Sequence, residues 1–199
     1  MPKFYTRRFE KEVAKASRSE KIQRQAYEIA KVKARAAQKE MVEEFEAHPV
    51  TRELEGGATA ANLSGTLGGY GNLFSFIGFL SGSNPTSLIR SYLQKSVRVH
   101  RKPRVSKSHK DTIMRFRLDI PRANEIEVLT PSPWEGRSWT RGIERNISGF
   151  GSYMFSRHEN FKDSRSGKAV QSSKQMRTMA YRPIKYMTSI LNSFYKKLK

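Results

Sequence analysis

The glycine-rich stretch GTLGGYG, at residues 65–71, is the part of the sequence that comes nearest to a phosphate-binding loop. Such loops bind phosphate because glycine lets backbone N–H groups approach the anion closely. A dinucleotide-binding loop has the pattern G-x-G-x-x-G, but counted from Gly69 the last position is Phe74. The Gly-Lys-Ser/Thr of an NTPase phosphate loop is also missing from the stretch. The spacing therefore argues against a nucleotide site.

Metal-binding and catalytic residues also lack a suitable arrangement. The four histidines, at positions 48, 100, 109 and 158, are scattered, and no two have the spacing of ligands on one helix. The sequence has no cysteine, which excludes disulfides and thiolate metal sites. It also lacks the G-x-S-x-G pattern of a serine nucleophile. We therefore expect a protein that is not an enzyme and that needs no cofactor or metal.

Basic residues carry the strongest chemical signal. The net charge is +20, and residues 90–199 hold 25 of the 38 basic groups against 8 acidic ones. Two basic loops, residues 98–110 and 162–177, are predicted to contact nucleic acid or an acidic protein, because both ligands need several cations on an extended support; the alternative is a solvated basic surface. No helix-turn-helix, zinc-finger or RNA-recognition signature decides between these ligands. The cations are Arg98, Arg101, Lys102, Arg104, Lys107, Lys110, Lys162, Arg165, Lys168, Lys174 and Arg177.

Acidic residues cluster at the end of a predicted N-terminal helix. Glu40, Glu43, Glu44 and Glu46 lie where a helix favours cations instead. One interpretation is a solvated acidic face. The other is a contact with a basic surface of a neighbouring subunit, such as its residues 95–110, which would give head-to-tail contacts that close into a ring.

The N-terminal segment, residues 1–49, is predicted to be helical. Residues 7–47 contain no glycine or proline, and apolar residues recur at roughly helical spacing. Ser17 to Glu20 match a capping box, which predicts a helix start there. The His48-Pro49 pair predicts its end, because the residue before a proline avoids the helical conformation.

Residues 50–93 are predicted to form a glycine-rich arm. Seven of the thirteen glycines fall between residues 56 and 78, and an apolar run overlaps their end. Ordering so much glycine costs backbone entropy, which burial of the apolar run must offset. The run is predicted to be a latch that docks on a neighbouring subunit; the alternative is an ordinary buried strand. Its interface residues are Leu73, Phe74, Phe76, Ile77 and Phe79.

Residues 94–199 are predicted to form a basic α+β core with a C-terminal helix. Alternating residues predict strands around Val97–Val99, Met114–Ile120 and Ile126–Val128. A stripe of apolar residues from Ile184 to Leu198 predicts an amphipathic helix that begins at Pro183. The fold class is thus α+β, a small antiparallel sheet packed by a long N-terminal and a C-terminal helix.

The order of these segments resembles the neck or tail-completion proteins of tailed bacteriophages. The likeness rests on a long helix followed by HPVTRELEGG, SGTLGGYGNLFSFIGF, a basic β-region, WEGRSW, SRSGKAVQ and a final helix with ILNSFYKKL. The resemblance implies a structural virion protein that oligomerises into a ring around the DNA channel. Its partners would be portal or adaptor proteins, the tail tube or a tail terminator, with non-specific DNA contact and no catalytic residues.

The location that follows is the virion, at the head–tail junction or tail, after synthesis in the host cytoplasm. We expect no signal peptide and no membrane contact, since the N-terminus lacks an apolar region and no apolar run approaches the length of a membrane span. Two other functions remain open. One is a ribosomal or other RNA-binding protein, whose basic extensions order on RNA. The other is a baseplate or other tail structural protein.

Overall fold

The computed structural model describes residues 12–13, 15–16, 19–68, 71–107, 112–133, 137–145 and 181–198. Within these ranges the protein mixes helices with short antiparallel strands, which confirms the predicted combination of a long N-terminal helix, a C-terminal helix and a small amount of sheet. Seven α-helices and four strands lie in the described ranges: α1 (Glu20–Ala47), α2 (Pro49–Glu55), α3 (Leu73–Ile77), α4 (Ser87–Lys95), β1 (Arg98–Val99), β2 (Arg104–Lys107), β3 (Thr112–Arg115), β4 (Leu118–Asp119), α5 (Ala123–Leu129), α6 (Trp139–Arg145) and α7 (Met187–Leu198).

The long helix α1 begins and ends at identifiable caps. Ser19 precedes its first residue, and the Ser19 hydroxyl accepts the Ile22 N–H at 3.4 Å. The N-cap is therefore Ser19, and the predicted start at Ser17 was two residues early. His48 ends the helix, as the His-Pro pair predicted. At 1.5 Å per residue α1 is about 42 Å long. No helix in the described ranges is both long and apolar enough to span a bilayer.

The hydrophobic core is built around the C-terminal half of α1 and helix α7. The two helices run antiparallel, because Glu44 bonds Ser193 while Phe45, one residue later, stacks near Tyr186. Aromatic rings fill the space beside them: Trp139 lies 6.4 Å from Tyr186 and 5.8 Å from Phe79 between ring centroids. The core draws buried residues from all three segments predicted above.

The glycine-rich segment is folded against this core. Its apolar run forms the five-residue helix α3 rather than an extended latch or a strand. All five predicted interface side chains are buried inside the chain: Leu73, Phe74, Phe76, Ile77 and Phe79. Gly78 ends α3 in the left-handed conformation (φ 84°), which turns Phe79 back into the core. The apolar run is therefore covered by its own chain, which corrects the predicted latch.

Two side chains close the loop that precedes α3. The buried carboxylate of Glu53 accepts the backbone N–H of Ser64 at 2.8 Å and of Leu73 at 2.7 Å. The Asn72 amide donates to the carbonyls of Ala58 and Ala60, both at 3.0 Å. These bonds fix the loop at Ala58, Ala60, Ser64 and Leu73, so the described parts of the loop do not form a free arm.

The four strands form two short antiparallel sheets of two strands each, which follow one another along the same two chain segments and are together called the hairpin. β1 pairs with β4 and β2 pairs with β3, both antiparallel. The predicted third strand at Ile126–Val128 is wrong, because these residues belong to helix α5. A strand would place Ile126 and Val128 on the same face, but Ile126 is buried and Val128 is 80% exposed. A helix separates the two side chains in this way. Two alternating apolar residues are too few to distinguish the two-residue period of a strand from the 3.6-residue period of a helix.

Helix α7 starts at Met187, four residues after the predicted start at Pro183. The Glu144 carboxylate of α6 accepts the N–H of Tyr186 at 3.0 Å and of Thr188 at 2.7 Å. These are donors that a helix N-terminus leaves unpaired within the helix, and a distant acid satisfies them in place of a local cap. The start of the helix thus depends on α6.

Candidate nucleic-acid interface

The hairpin has one apolar and one cationic face. We call residues 97–107 and 112–120 the basic ribbon. Exposure alternates strictly from Ile113 to Ile120: Met114 and Phe116 are half-buried, and Arg115 and Arg117 are exposed. This confirms the alternation read from the sequence, although the predicted single strand is divided into β3 and β4. The exposed side, here called the outer face, carries Arg98, Arg101, Lys102, Arg104, Arg115 and Arg117.

The inner face of the basic ribbon packs on helix α1. The Phe116 ring lies 6.2 Å from the ring of Tyr27, measured between centroids. The Lys31 ammonium lies 5.8 Å from the same Tyr27 ring, on the helix surface beside it. Burying the apolar side against a helix supports the two strands, since an isolated hairpin is only marginally stable in water. The cations on the other side are consequently held outward on a fixed support.

Two arginines face each other across the ribbon. The register pairs Arg104 of β2 with Arg115 of β3, and Val105 with Met114. Directly opposed residues of an antiparallel pair have Cβ atoms about 4.5–5.5 Å apart and lie on the same face. Both arginine side chains are exposed. Because like charges at this position repel each other, the pair costs stability unless an anion lies between them.

A change of register next to this pair projects two further cations. Residues 100–103 lie between β1 and β2, whereas only residues 116–117 separate β3 from β4. The longer side bulges out with Arg101 and Lys102 exposed. The His100 N–H donates to the Arg117 carbonyl at 2.9 Å and keeps the strands joined there.

The acid on the outer face already has a partner. Asp119 accepts a hydrogen bond from His100, with Nε2 and Oδ2 2.9 Å apart, and this bond holds the pKa of the Asp119 carboxyl below its usual value. Asp119 also lies opposite Arg98 in the strand register. The ion pairs of the described residues include none of the remaining outer-face cations, namely Arg101, Lys102, Arg104, Arg115 and Arg117.

Several predicted contact residues cannot be placed on this surface. Lys107 ends β2, but nothing is described of its side chain. The others lie outside the described residues: Lys110, Lys162, Arg165, Lys168, Lys174 and Arg177. The sequence missed Arg115 and Arg117 as site residues, although their alternation with apolar residues in the strand was the available signal.

The acidic residues predicted to meet a neighbour have partners within the chain. Lys197 of α7 binds Glu40 at 2.8 Å and Glu44 at 2.7 Å. These two hydrogen bonds raise the pKa of Lys197. Glu43 pairs with Lys39 one turn earlier, at 3.6 Å. Since α7 runs antiparallel to α1, its basic end meets the acidic end of α1, which removes the charge-based reason for expecting a neighbour there.

The N-terminal half of α1 instead exposes apolar side chains. Ile29 is 71% and Val32 67% exposed, whereas the residues of α1 that enter the core begin only at Ala34. At 100° per residue, Ile29 and Val32 lie on the side of α1 opposite Tyr27 and Phe45. The helix therefore has two apolar sides, of which the described part of the chain covers one.

No metal-binding group of three or more His, Asp or Glu side chains occurs in the part of the chain that the structure describes.

No family model, curated protein or solved structure matches this chain.

Proposed function

We propose that this protein is a structural subunit of a tailed-bacteriophage virion, without enzymatic activity. Its place would be the head–tail neck or tail-completion ring, where it joins the portal side of the capsid to the tail around the DNA channel. The layout of sequence segments supports this proposal. The observation that carries the assembly part of it is the exposed apolar stripe on α1, formed by Ile22, Ile29, Val32 and Ala36. Apolar residues that lie together on a surface mark an interaction site, whereas single exposed ones do not.

The stripe has the spacing of a helix–helix seam. Ile22, Ile29 and Ala36 are seven residues apart, and Val32 follows Ile29 by three. This is the a/d pattern by which two helices pack side by side. All four residues are exposed in the single chain. We infer that the stripe of one subunit packs against a second copy of the chain, which would supply one of the contacts of a homo-oligomer.

Charges beside the stripe favour the same partner. Glu28 and Arg35 border it on one side, seven residues apart. When two copies of the helix pack antiparallel, the Glu28 of each can approach the Arg35 of the other, so that the exposed apolar residues become buried with opposite charges alongside. A self-complementary surface of this kind gives a two-fold contact, and closing a ring needs a second contact elsewhere.

The test is the mass of the full chain in solution, measured by light scattering over a range of concentrations. The wild type should form oligomers, and the double variant I29D/V32D should be a monomer with an unchanged circular dichroism spectrum. The control L80D/L88D makes the same chemical change at two side chains that are 63% and 58% exposed elsewhere. The control should assemble like the wild type. A wild type that stays monomeric, or a stripe variant that still assembles, would refute the self-contact.

Two other functions can be separated from this one by experiment. A baseplate or other tail protein would differ from a neck subunit only in its neighbours, and labelling the protein in intact particles would separate the two positions. An RNA-binding protein is favoured by the cationic outer face of the basic ribbon. Tight, strongly salt-dependent binding to RNA by a chain that remains monomeric would favour that function over a virion subunit.

A further inference from the structure

We propose that the outer face of the basic ribbon binds the phosphate backbone of duplex DNA, with Arg104 and Arg115 holding one phosphate between them. The inference deepens the proposed function by naming the DNA-contacting surface, and it rests on that function only for the source of the DNA. Binding itself requires a single folded chain, so it can be tested apart from assembly.

The arginine pair is the centre of the argument. Arg104 and Arg115 are directly opposed, exposed and without a carboxylate partner among the described residues. A phosphate between two guanidinium groups accepts charge-assisted hydrogen bonds from both, because each guanidinium presents several N–H donors in a planar fork. The anion thereby turns a repulsive pair into two attractive contacts. A surface that merely keeps the protein soluble would not need these charges to be opposed.

Neighbouring cations extend the site along the ribbon. Arg101 and Lys102 project from the bulge on one strand, and Arg117 lies two residues beyond Arg115 on the other. Successive side chains on one face of a strand are about 6.8 Å apart. These five cations have no ion pair among the described residues, and together they can contact several phosphates at once. The contact of Phe116 with Tyr27 on α1 supports the ribbon beside them, which reduces the backbone entropy lost on binding.

The composition of the outer face favours a duplex over a single strand. Proteins that bind single strands stack the bases on aromatic rings. On the ribbon, the aromatic ring of Phe116 faces inward and contacts Tyr27. The described outer face thus offers cations without a stacking platform.

The shape of the ribbon favours DNA over double-stranded RNA. The major groove of B-form DNA is about 12 Å wide and admits a two-stranded ribbon, so cations on the ribbon can reach the phosphates along its edges. The major groove of A-form RNA is deep and too narrow for this. Because the proposal assigns these cations to phosphates, binding should not depend on sequence.

The experiment is fluorescence anisotropy of the full chain with a labelled 20-base-pair duplex, at several KCl concentrations. The wild type should bind with a slope of log K against log salt of about −4 to −5, which corresponds to five phosphate contacts. R104E/R115E keeps a like-charged pair at the same register, so its folding cost is matched. It should lose about 30-fold or more in affinity at 100 mM KCl, with a slope reduced by about two.

The control is R52E/K185E, which makes the same change of net charge at two exposed residues remote in sequence from the ribbon. It should bind nearly as the wild type does. A second ribbon variant, R101E/K102E, changes residues outside the paired strands and keeps the test valid if R104E/R115E fails to fold. An equal loss in the control and in the ribbon variants would overturn the site in favour of a general charge effect.

Competitors decide the class of ligand. Double-stranded RNA, single-stranded DNA and a polyglutamate peptide should each displace the duplex at least tenfold less effectively than unlabelled duplex. A competitor that displaces it equally well would overturn the assignment to duplex DNA. The stripe variant I29D/V32D should still bind DNA. If the chain is a monomer that binds duplex DNA, the proposed ring is refuted and the DNA site is supported. If the chain forms a ring but the ribbon variants bind DNA as well as the wild type does, the DNA site is refuted and the ring is supported.

Discussion

His48 forms the joint between α1 and α2. It ends the first helix, and its Nδ1 accepts the Val50 N–H at 3.2 Å at the start of the second. Its ring lies 4.8 Å from the ring of Tyr186, between centroids. Burial lowers the pKa of the His48 imidazole below 6.5. Because the accepting nitrogen has to be unprotonated, the joint depends on the neutral form of the ring.

The lowered pKa predicts a pH dependence of stability. In the unfolded chain His48 takes up a proton near pH 6.5, whereas in the folded chain it does so only at lower pH. The free energy of unfolding should therefore fall as the pH drops below about 6.5, and level off below the folded pKa. Urea denaturation between pH 7.5 and 5 measures this.

The variant His48→Asn isolates the effect. Asparagine can accept the same N–H as an N-cap but does not titrate. Its stability should change less over this range than that of the wild type, and the difference between the two profiles reports His48 alone. Parallel profiles would show that the imidazole is not what couples the joint to pH.

At the scale of elements, the glycine-rich loop is ordered by side chains that flank it. Glu53 lies in α2 and Asn72 caps α3, and together they bond four backbone groups of residues 58–73. The Arg182 N–H adds a bond to the Thr66 carbonyl at 2.8 Å, which joins the loop to the segment before α7. The loop thereby becomes part of the core surface.

Replacing the buried carboxylate should loosen this loop. In Glu53→Gln the amide keeps one acceptor oxygen and places its NH₂ group against a backbone N–H, which leaves a buried donor unpaired. We expect a loss of about 1–3 kcal/mol in the free energy of unfolding. Urea denaturation measures it, and hydrogen exchange should show faster exchange at Ser64 and Leu73.

The matched control is Glu43→Gln, which changes an exposed acid whose ion pair with Lys39 is also exposed. It should cost less than about 0.5 kcal/mol. If the two variants lose the same amount, the Glu53 bonds do not determine the structure of the loop.

These elements show why the sequence predicted some of the fold and not the rest. The end of α1 and the alternation of the ribbon follow from residues that are close in sequence, such as His48 and Pro49. The loop does not, because the acceptor of the Leu73 N–H is twenty residues away on another helix. The number of glycines indicates the backbone conformational freedom of a segment in isolation. It does not indicate which distant side chains, such as Glu53, hydrogen-bond to the segment and order it.

The candidate site was predictable to the same extent. The basic residues of the hairpin stand out in the sequence, but the opposition of Arg104 and Arg115 depends on the register of the strands. That register shifts at the bulge beside Arg101, and the alternation of residue types does not record the shift. Similarly, the acids of α1 were visible, but their partner Lys197 lies on a helix that packs beside them only in the folded chain.

At the scale of the whole molecule, the acids at the end of α1 and the cations of the outer face differ in whether they form ion pairs within the described residues. The described acids of α1 from Glu40 to Glu46 are paired within the chain, including Glu46 with Arg90 at 3.1 Å. Apart from Arg98, which lies opposite Asp119, the cations of the outer face have no ion pair among the described residues. Part of the net charge of +20 therefore lies on the outer face as cations that repel one another. This repulsion opposes folding of the isolated chain and favours polyanionic partners.

The balance predicts how stability responds to salt. Raising NaCl from 20 to 300 mM shortens the Debye length to well below the size of the molecule, so that repulsion among the cations is screened. The exposed ion pairs weaken as well, but each contributes little. The free energy of unfolding, measured by urea denaturation, should therefore rise with salt.

In R104T/R115T, which lowers the net charge and removes the opposed pair, the rise should be smaller and the low-salt stability higher. If the wild type loses stability as salt is added, its ion pairs contribute more to stability than the repulsion among its cations removes. In that case a bound phosphate backbone would not stabilise the fold by neutralising the cations of the ribbon.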